Sequence, residues 1–307
     1  MKLSVVTTVY KSEEFILEFY TRIVASIEKL GIENDYEIIF VNDGSPDESL
    51  FHLIEIQKNN NHVKVLDFSR NFGHHNAIMA GLEYSSGEKI FLIDIDLEEP
   101  PEVLTDFYCE IINNDNDVIY GIKKTRGGSH TRNLGGKIFY KLFNKLSNVK
   151  IEPNALTVRI MSQRFVRALV QHKEKDLFLS GVFSLTGFVQ KGVLIEAESR
   201  RLTSYSLSSR INLFIQALVS FSSFPLVVFF YMGIFITSLT FVYAFFLVIQ
   251  VNVNDKVLEG WTTIVVSIWL LSGVIMTALG VIGVYLSKIF NEVKNRPRYI
   301  VKKKYGK

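Results

Sequence analysis

Residues 89–101 read Lys89-Ile90-Phe91-Leu92-Ile93-Asp94-Ile95-Asp96-Leu97-Glu98-Glu99-Pro100-Pro101, and this stretch decides the fold. Its apolar first half predicts a buried strand, which the carboxylates and prolines then end abruptly. In an open α/β sheet, ligands bind beyond the carboxyl ends of the strands. Asp94 and Asp96 are two residues apart, so on an extended chain their side chains point to the same side. The pair predicts a Mg²⁺ or Mn²⁺ site completed by a substrate diphosphate, although an isolated Asp-x-Asp also fits a solvated turn.

The N-terminal part of the chain alternates between predicted strands and helices. Helical spacing of apolar residues predicts helices over residues 13–30 and about 76–84, and another that contains Leu50, Leu53 and Ile54. Apolar and β-branched runs predict strands at residues 2–10, 37–42, 63–68 and 117–122, in addition to the one that begins at Lys89. This alternation is typical of a largely parallel sheet with helices on both faces.

The C-terminal part is predicted to cross a membrane twice. No charged residue occurs in residues 211–254 or 260–287, and each run exceeds the roughly 20 apolar residues that span a bilayer. We expect spans at about 226–251 and 262–286, with Trp261 as an interfacial anchor. Glycines at 273, 280 and 283 lie close to one helical face and suit packing against the first span or against another protomer, so a homo-oligomer remains open.

The charge distribution predicts the orientation of these spans. The chain of 307 residues has a formal net charge of +3, yet residues 288–307 alone contain eight basic residues and one glutamate. Arg200, Arg201 and Arg210 precede the first span, so the positive-inside rule places both flanks in the cytosol. The single cysteine, Cys109, excludes an internal disulfide and suits a reducing compartment. Nucleic-acid binding is disfavoured, because the basic residues flank a predicted span. No signal peptide is expected before the first strand.

A second acidic residue follows another predicted strand. Asp43 comes directly after the strand that ends at residue 42, and in a doubly wound sheet it can face the same crevice as Asp94 and Asp96. A nucleoside fits such a crevice, with Asp43 accepting hydrogen bonds from its base or ribose. An ordinary Asp-Gly turn explains Asp43-Gly44 as well.

Several motifs in order now resemble a known family. These are residues 5–10 (VVTTVY), 41–45 (VNDGS), 69–73 (SRNFG) and 94–101 (DIDLEEPP), with further matches at 121–132, 139–142, 204–205, 220–222 and 295–297 (NRP). The chain resembles the family 2 inverting glycosyltransferases, and among them the polyprenyl-phosphate sugar transferases related to dolichol-phosphate mannose synthase and to bacterial undecaprenyl-phosphate glucosyltransferases. The resemblance covers essentially the whole chain.

The resemblance implies a Rossmann-like GT-A nucleotide-diphospho-sugar transferase fold and assigns roles to individual residues. It implies a metal site formed by Asp94, Asp96 and Glu98, and a mobile loop whose Arg126 and Arg132 contact an acceptor phosphate. Asp94, Asp96, Arg126 and Arg132 are accordingly the expected catalytic residues. The expected substrate contacts are made by Thr8, Tyr10, Glu13, Asp43, Arg70, Asp94, Arg126, Arg132 and Ser204.

The chain departs from the family pattern at two positions. Glu98 stands where many relatives have glutamine, and Thr157 stands where many have an acidic residue. Thr157 cannot act as a general base. A phosphate monoester needs none, because with a second pKa near 6 it is already mostly a dianion at neutral pH. At His74 and His75 a solvated helix start is favoured over a catalytic or metal-binding role.

These observations predict four segments and one principal activity. The segments are a glycosyltransferase domain (1–205), an interfacial amphipathic helix (206–224), the two spans (225–287) and a basic cytosolic tail (288–307). The predicted enzyme is an inner-membrane protein of bacteria that moves a hexose from a UDP- or GDP-sugar to polyprenyl phosphate on the cytosolic face. The alternatives are transfer to a sugar acceptor in polysaccharide synthesis, disfavoured by the missing base, and a catalytically degenerate membrane scaffold.

Overall fold

The computed structural model describes residues 1–124, 144, 150–175, 178–196, 222, 224–254 and 260–306. These residues fall into two compact units. The larger unit contains the N-terminal two thirds of the chain together with residues 296–306, and the smaller unit contains two long helices. Arg126, Arg132, Ser204 and most of the predicted interfacial helix lie outside the described residues.

The larger unit is built on a sheet in which eight strands are described. The strands are β1 (Leu3–Val9), β2 (Tyr36–Asn42), β3 (Val63–Phe68), β4 (Lys89–Leu92), β5 (Val118–Lys123), β6 (Ala155–Ser162), β7 (Gln190–Ile195) and β8 (Val301–Tyr305). Their order in the sheet is β7-β5-β6-β4-β1-β2-β3-β8. The neighbours β1–β2, β1–β4, β2–β3 and β5–β7 are parallel, whereas β4–β6, β5–β6 and β3–β8 are antiparallel. The predicted GT-A-like α/β fold with a mostly parallel sheet is confirmed.

Six helices are described in the larger unit and two in the smaller one. They are α1 (Glu13–Lys29), α2 (Ser49–Asn59), α3 (His74–Glu83), α4 (Val103–Asn113), α5 (Gln163–Leu169), α6 (Leu179–Leu185), α7 (Phe224–Asn254) and α8 (Trp261–Val293). The apolar stripe predicted for α1 is the face that packs on the sheet: Phe19, Ile23 and Ile27 are fully buried. Every residue of β1 and β2 is buried, as expected for central strands covered on both faces.

Most boundaries lie within one residue of the prediction, and two boundaries adjoin the candidate site. Helix α3 begins at His74, two residues earlier than expected. Strand β4 ends at Leu92, although the Ile93 N–H still donates to the carbonyl of Val6 at 3.1 Å. Beyond it the chain turns through Leu97, which has a positive φ of 58°.

The sequence reasoning did not predict strand β8. Residues 301–305, which the charge pattern grouped with a basic tail, pair antiparallel with β3, so the sheet gains a strand from the far end of the chain. This lysine-rich strand covers the edge that β3 would otherwise expose, in keeping with the lysines that natural proteins place on edge strands.

The described residues contain one stretch that is long and apolar enough to cross a bilayer, Ser267–Val293 in α8. It has 27 residues, and none of its most apolar 18-residue segment is buried. A shorter apolar stretch, Phe224–Ile236, begins α7. Length and composition therefore support one membrane-spanning helix, and the second predicted span remains a proposal.

Candidate active site

A cleft of about 410 Å³ lies at the carboxyl ends of β1, β2 and β4. It contains most of the residues that the sequence placed at strand ends. Its lining is formed by Thr8, Val9, Tyr10, Ser12, Phe15, Asp43, Asn71, Gly73, His74, Asp94, Ile95 and Asp96. The prediction that the three aspartates face one crevice is therefore consistent with the structure.

Asp43 holds the loop between β3 and α3. Its two carboxylate oxygens accept the backbone N–H groups of Phe72 at 2.7 Å and Gly73 at 2.9 Å. The side chain is buried, with 3% of the residue exposed. Burial raises the pKa of Asp43, although the two amide hydrogen bonds oppose this shift. A nucleoside contact would have to use a remaining lone pair, because both oxygens already accept one bond.

The residue after Asp43 brings two backbone segments into close contact. Gly44 has a φ of +62°, and a Cβ atom added there would lie 2.4 Å from the carbonyl carbon of Arg70 and 2.7 Å from the nitrogen of Asn71. Both neighbours are backbone atoms, so only glycine fits without displacing the loop. The Arg70 guanidinium lies over the Phe72 ring, 4.1 Å from its centroid.

Side chains in residues 93–97 alternate between buried and partly exposed, as they would in a strand, although β4 ends at Leu92. Ile93, Ile95 and Leu97 are buried, whereas the two aspartates between them are partly exposed to the cleft. The Asp94 pKa is raised by burial and by the charge of Asp96, while His74 opposes the shift. One oxygen of Asp96 accepts the backbone N–H of Glu98 at 3.0 Å.

The aspartate pair fits a hard divalent cation that is shared with a substrate. Oδ1 of Asp94 is buried and has no hydrogen-bond partner among the described residues. Mg²⁺ and Mn²⁺ are commonly held by one or two carboxylates, with waters and phosphate oxygens completing the shell. The described part of the chain contains no cluster of three or more acidic, histidine or cysteine side chains that could hold a metal by itself. A metal bound here by the aspartate pair would take its remaining ligands from water or from the substrate.

Strand β6 brings two further side chains to Asp94. The Thr157 side chain lies close enough to Asp94 to lower the pKa of that carboxyl group. The Arg159 guanidinium stacks 3.5 Å from the centroid of the Phe183 ring, and its Nε donates to the carbonyl of Thr157 at 2.9 Å. Burial lowers the pKa of Arg159 to about 9, opposed by the charge of Asp94. Thr157, which the sequence marked as a departure from the family pattern, thus lies close to Asp94.

Glu99 is a buried carboxyl group that the sequence reasoning did not single out. Only 6% of the residue is exposed, and burial, followed by the charges of Asp94, Asp96 and Glu98, raises its pKa to about 8. Glu99 is therefore mostly protonated at neutral pH in the absence of a cation.

His74 is the exposed first residue of α3, as expected, and it also lines the cleft. Its Nδ1 is 3.0 Å from the Thr8 hydroxyl, and its Nε2 is 3.5 Å from the unpartnered Oδ1 of Asp94. The signal that could have revealed this position is the preceding motif, because Gly73 is held by Asp43 and α3 starts at the next residue.

The remaining predicted contacts divide between the cleft and its surroundings. Thr8 and Tyr10 line it, and Tyr10 is 43% exposed. Arg70 lies on the adjoining loop. Glu13 begins α1, and its carboxylate accepts the backbone N–H of Glu48, the residue before α2, at 3.0 Å. Glu98 is half-buried beside Asp96.

Comparison with known proteins agrees with this arrangement. Residues 4–170 match the model of the family described as "Glycosyl transferase family 2". The bactoprenol glucosyl transferase derived from the SfII prophage in Shigella flexneri is 35% identical over 311 residues, covering 99% of each chain. An uncharacterized glycosyltransferase of Synechocystis sp. is 34% identical over 309 residues, covering 100% of this chain and 96% of that protein.

Among solved structures, glucosyl-3-phosphoglycerate synthase from Mycobacterium tuberculosis in complex with uridine diphosphate superposes with a TM-score of 0.47. It shares 16% identity over 71% of this chain and 79% of the other. The family match extends over more than half of the chain, and the bactoprenol glucosyl transferase matches it almost end to end. The chain belongs to glycosyl transferase family 2.

Proposed function

We propose that this protein is a metal-dependent inverting glycosyltransferase that moves a hexose from a UDP- or GDP-sugar to a polyprenyl phosphate such as undecaprenyl phosphate. The observation that carries the proposal is the convergence of Asp43, Asp94 and Asp96 in one cleft at the carboxyl ends of parallel strands. Such crevices bind nucleotides in open α/β sheets.

The donor half of the proposal rests on the loop that Asp43 anchors and on the aspartate pair. Exposed Asn71 and partly exposed Gly73 line one side of the cleft, and Asp94 and Asp96 line another. A nucleoside bound along the loop would bring its diphosphate to the aspartates. A divalent cation held by these carboxylates would act as a Lewis acid that neutralises charge on the diphosphate leaving group. His74, between Thr8 and Asp94, would orient the adjacent carboxylate.

The proposed acceptor is supported by the chemistry of a phosphate nucleophile and by the relatives of this chain. A phosphate monoester acceptor is already a nucleophile at neutral pH, so no general base is required where Thr157 stands. Thr157 would have a supporting role, because its side chain lowers the pKa of Asp94. Relatives named bactoprenol glucosyl transferases align along the whole chain, including the long apolar helices. Arg126 and Arg132 are proposed to bind the acceptor phosphate through bidentate hydrogen bonds.

A lipid acceptor would explain why the chain contains two long apolar helices. We propose that α7 and α8 both span the inner membrane of a bacterium, and that the catalytic domain and both termini are cytosolic. Residues 206–224 would lie in the interface and bring the acceptor phosphate to the cleft.

The test is transfer of radiolabel from a panel of UDP- and GDP-sugars to undecaprenyl phosphate by the detergent-purified protein, with Mg²⁺ or Mn²⁺ and with EDTA. We expect a metal-dependent lipid product that is lost in Asp96→Asn. Asp106→Asn is the matched control, because Asp106 is an exposed aspartate on α4 outside the cleft. Absence of a lipid product from the unmutated protein with every donor would overturn the acceptor assignment.

A further inference from the structure

Residues 298–305, here called the C-terminal strap, contact the structural elements on both sides of the loop that Asp43 anchors. Strand β8 pairs with β3 from Val65, opposite Tyr305, to Phe68, opposite Val301. The register shifts between Asp67 and Phe68. The strap therefore lies beside β3 as far as the residue at which β3 gives way to the loop.

Three contacts fasten the strap at this point. The Tyr299 ring stacks on Phe68 with 5.1 Å between centroids and 7° between planes. The Tyr299 hydroxyl donates to Glu83 at 2.6 Å, at the far end of α3. The Ser69 N–H donates to the carbonyl of Ile300 at 3.0 Å. The first residue of the loop is thus held by the strap's backbone, and the helix that follows the loop is held by the strap's side chain.

A continuous set of contacts leads from the strap to the cleft. Phe68 meets Phe72 edge to face, with 5.7 Å between centroids and 88° between planes. Phe72 in turn donates its backbone N–H to Asp43. Tyr299 thus stacks on the ring that supports Phe72, and Phe72 is one of two residues whose amides Asp43 holds. Each of these pairs is in direct contact, so a substitution at Tyr299 can alter the loop through Phe68 and Phe72.

Support from outside the loop matters because three of its side chains are exposed and bury little surface. Ser69, Arg70 and Asn71 are exposed. Ordering an exposed segment costs conformational entropy that its own contacts must offset. A binding loop that is ordered before the ligand arrives binds more tightly, because less of that entropy is lost on binding.

We propose that the C-terminal strap is part of the donor site, and that Tyr299 is a positioning residue that fixes loop 69–73 for the nucleotide. The inference rests on the proposed function, in which this loop contacts the nucleoside. Tyr299 acts through Phe68 and Phe72 and does not contact substrate, so its removal should change donor affinity much more than the turnover of bound donor.

The experiment compares Tyr299→Leu with Tyr36→Leu in the full-length, detergent-purified protein. Tyr36 is the matched control because its ring also stacks on a neighbour, His62, at 4.5 Å, and its hydroxyl is also hydrogen-bonded, here as the acceptor from Asn60 at 3.1 Å. It begins β2, whereas Asp43 follows the end of that strand. The probes are UDP and GDP, each with Mn²⁺, measured by titration calorimetry. Hydrogen exchange of the Phe72 and Gly73 amides reports the order of the loop.

We expect Tyr299→Leu to raise the Kd of the bound nucleotide about tenfold, or about 1.4 kcal/mol, and to speed exchange at both amides. The donor KM should rise similarly, while kcat at saturating donor changes by less than about twofold. Tyr36→Leu should leave the Kd and both exchange rates unchanged even where it lowers the unfolding temperature.

The outcomes separate the two proposals. If the unmutated protein binds neither nucleotide, the proposed function fails and this inference fails with it. If it binds one and Tyr299→Leu matches Tyr36→Leu in Kd and exchange, the inference alone is overturned. Should Tyr299→Leu not fold, Tyr299→Phe provides the test: loss of the hydroxyl bond to Glu83 should raise the Kd about threefold, and an unchanged Kd would overturn the inference.

Discussion

Substituting alanine for Gly44 tests the close contact between the turn at Asp43 and loop 69–73. Alanine in the left-handed region costs roughly 1–2 kcal/mol wherever it occurs. At Gly44 the added Cβ would also lie 2.4 Å from a backbone carbon of Arg70, and ordinary contact begins at 3.4 Å. The loop backbone would therefore have to move by about 1 Å, because no flexible side chain can yield in its place.

A shift of that size would break the bonds that order the loop. The Phe72 and Gly73 amides lie 2.7 and 2.9 Å from the Asp43 carboxylate, so a 1 Å shift takes both beyond hydrogen-bonding distance. Each bond to a charged acceptor is worth about 1.5–3 kcal/mol. If nucleotide binding must restore about 2–3 kcal/mol of this loss, the Kd should rise roughly 30- to 150-fold.

Gly31→Ala is the matched control for this substitution. Gly31 follows α1 with a φ of +67°, and a Cβ added there would have nothing within 4 Å. It should show the left-handed penalty as a lower unfolding temperature while its nucleotide Kd stays unchanged. Calorimetric titration with UDP or GDP and thermal unfolding of both variants measure the two effects separately. A Gly44→Ala protein that binds nucleotide like Gly31→Ala would refute the reasoning.

Two further substitutions test other parts of the site and the sheet. Thr157→Val removes the hydroxyl that lowers the pKa of Asp94, so half-maximal transfer should need more Mn²⁺, while the rate at saturating metal falls less than about tenfold. Loss of all turnover would contradict a mechanism without a base at this position. Glu37→Gln breaks a buried ion pair with Lys64 at 2.8 Å and should cost about 3–5 kcal/mol of stability at pH 7. Burial opposes ionisation of Glu37, yet hydrogen bonds from Lys64, Ser4 and Ser86 lower its pKa below 4.5. Its contribution is therefore complete above pH 4.5 and is lost as the pH falls through the lowered pKa, so the stability gap between the two proteins should close in acid; a gap that widens in acid would contradict the assignment.

The central strands and the cleft were predictable because their signals are local. The Val- and Ile-rich runs of β1 to β3 are buried on both faces and gave strand bounds within one residue at most ends. Asp43 and the Asp94–Asp96 pair were placed correctly in one cleft because each directly follows a strand, and the carboxyl ends of parallel strands share one edge.

The parts that the sequence did not reveal depend on distant contacts. Thr157 lies near Asp94 because β6 is antiparallel to β4, with Arg159 opposite Leu92. No local sequence pattern predicts that register. The sequence Val301-Lys302-Lys303-Lys304-Tyr305 has the charge of a solvated tail and becomes a strand only because β3 offers an unpaired edge. The exposed helix start at His74 was predicted, but its contacts with Thr8 and Asp94 were not, because those residues come from distant parts of the chain.

The position of β8 in the sequence also sets an order of assembly. Phe68 pairs with Val301 across more than 200 residues, so this part of the sheet is among the least local in the chain. In a chain made from its N-terminus, the residues of β1 to β4 and of both long helices are synthesised before those of β8. Until then the β3 edge carries unpaired N–H and C=O groups, which any other extended segment can bind. Of the strands that the structure describes, the one made last is therefore the one that pairs with this edge and protects it.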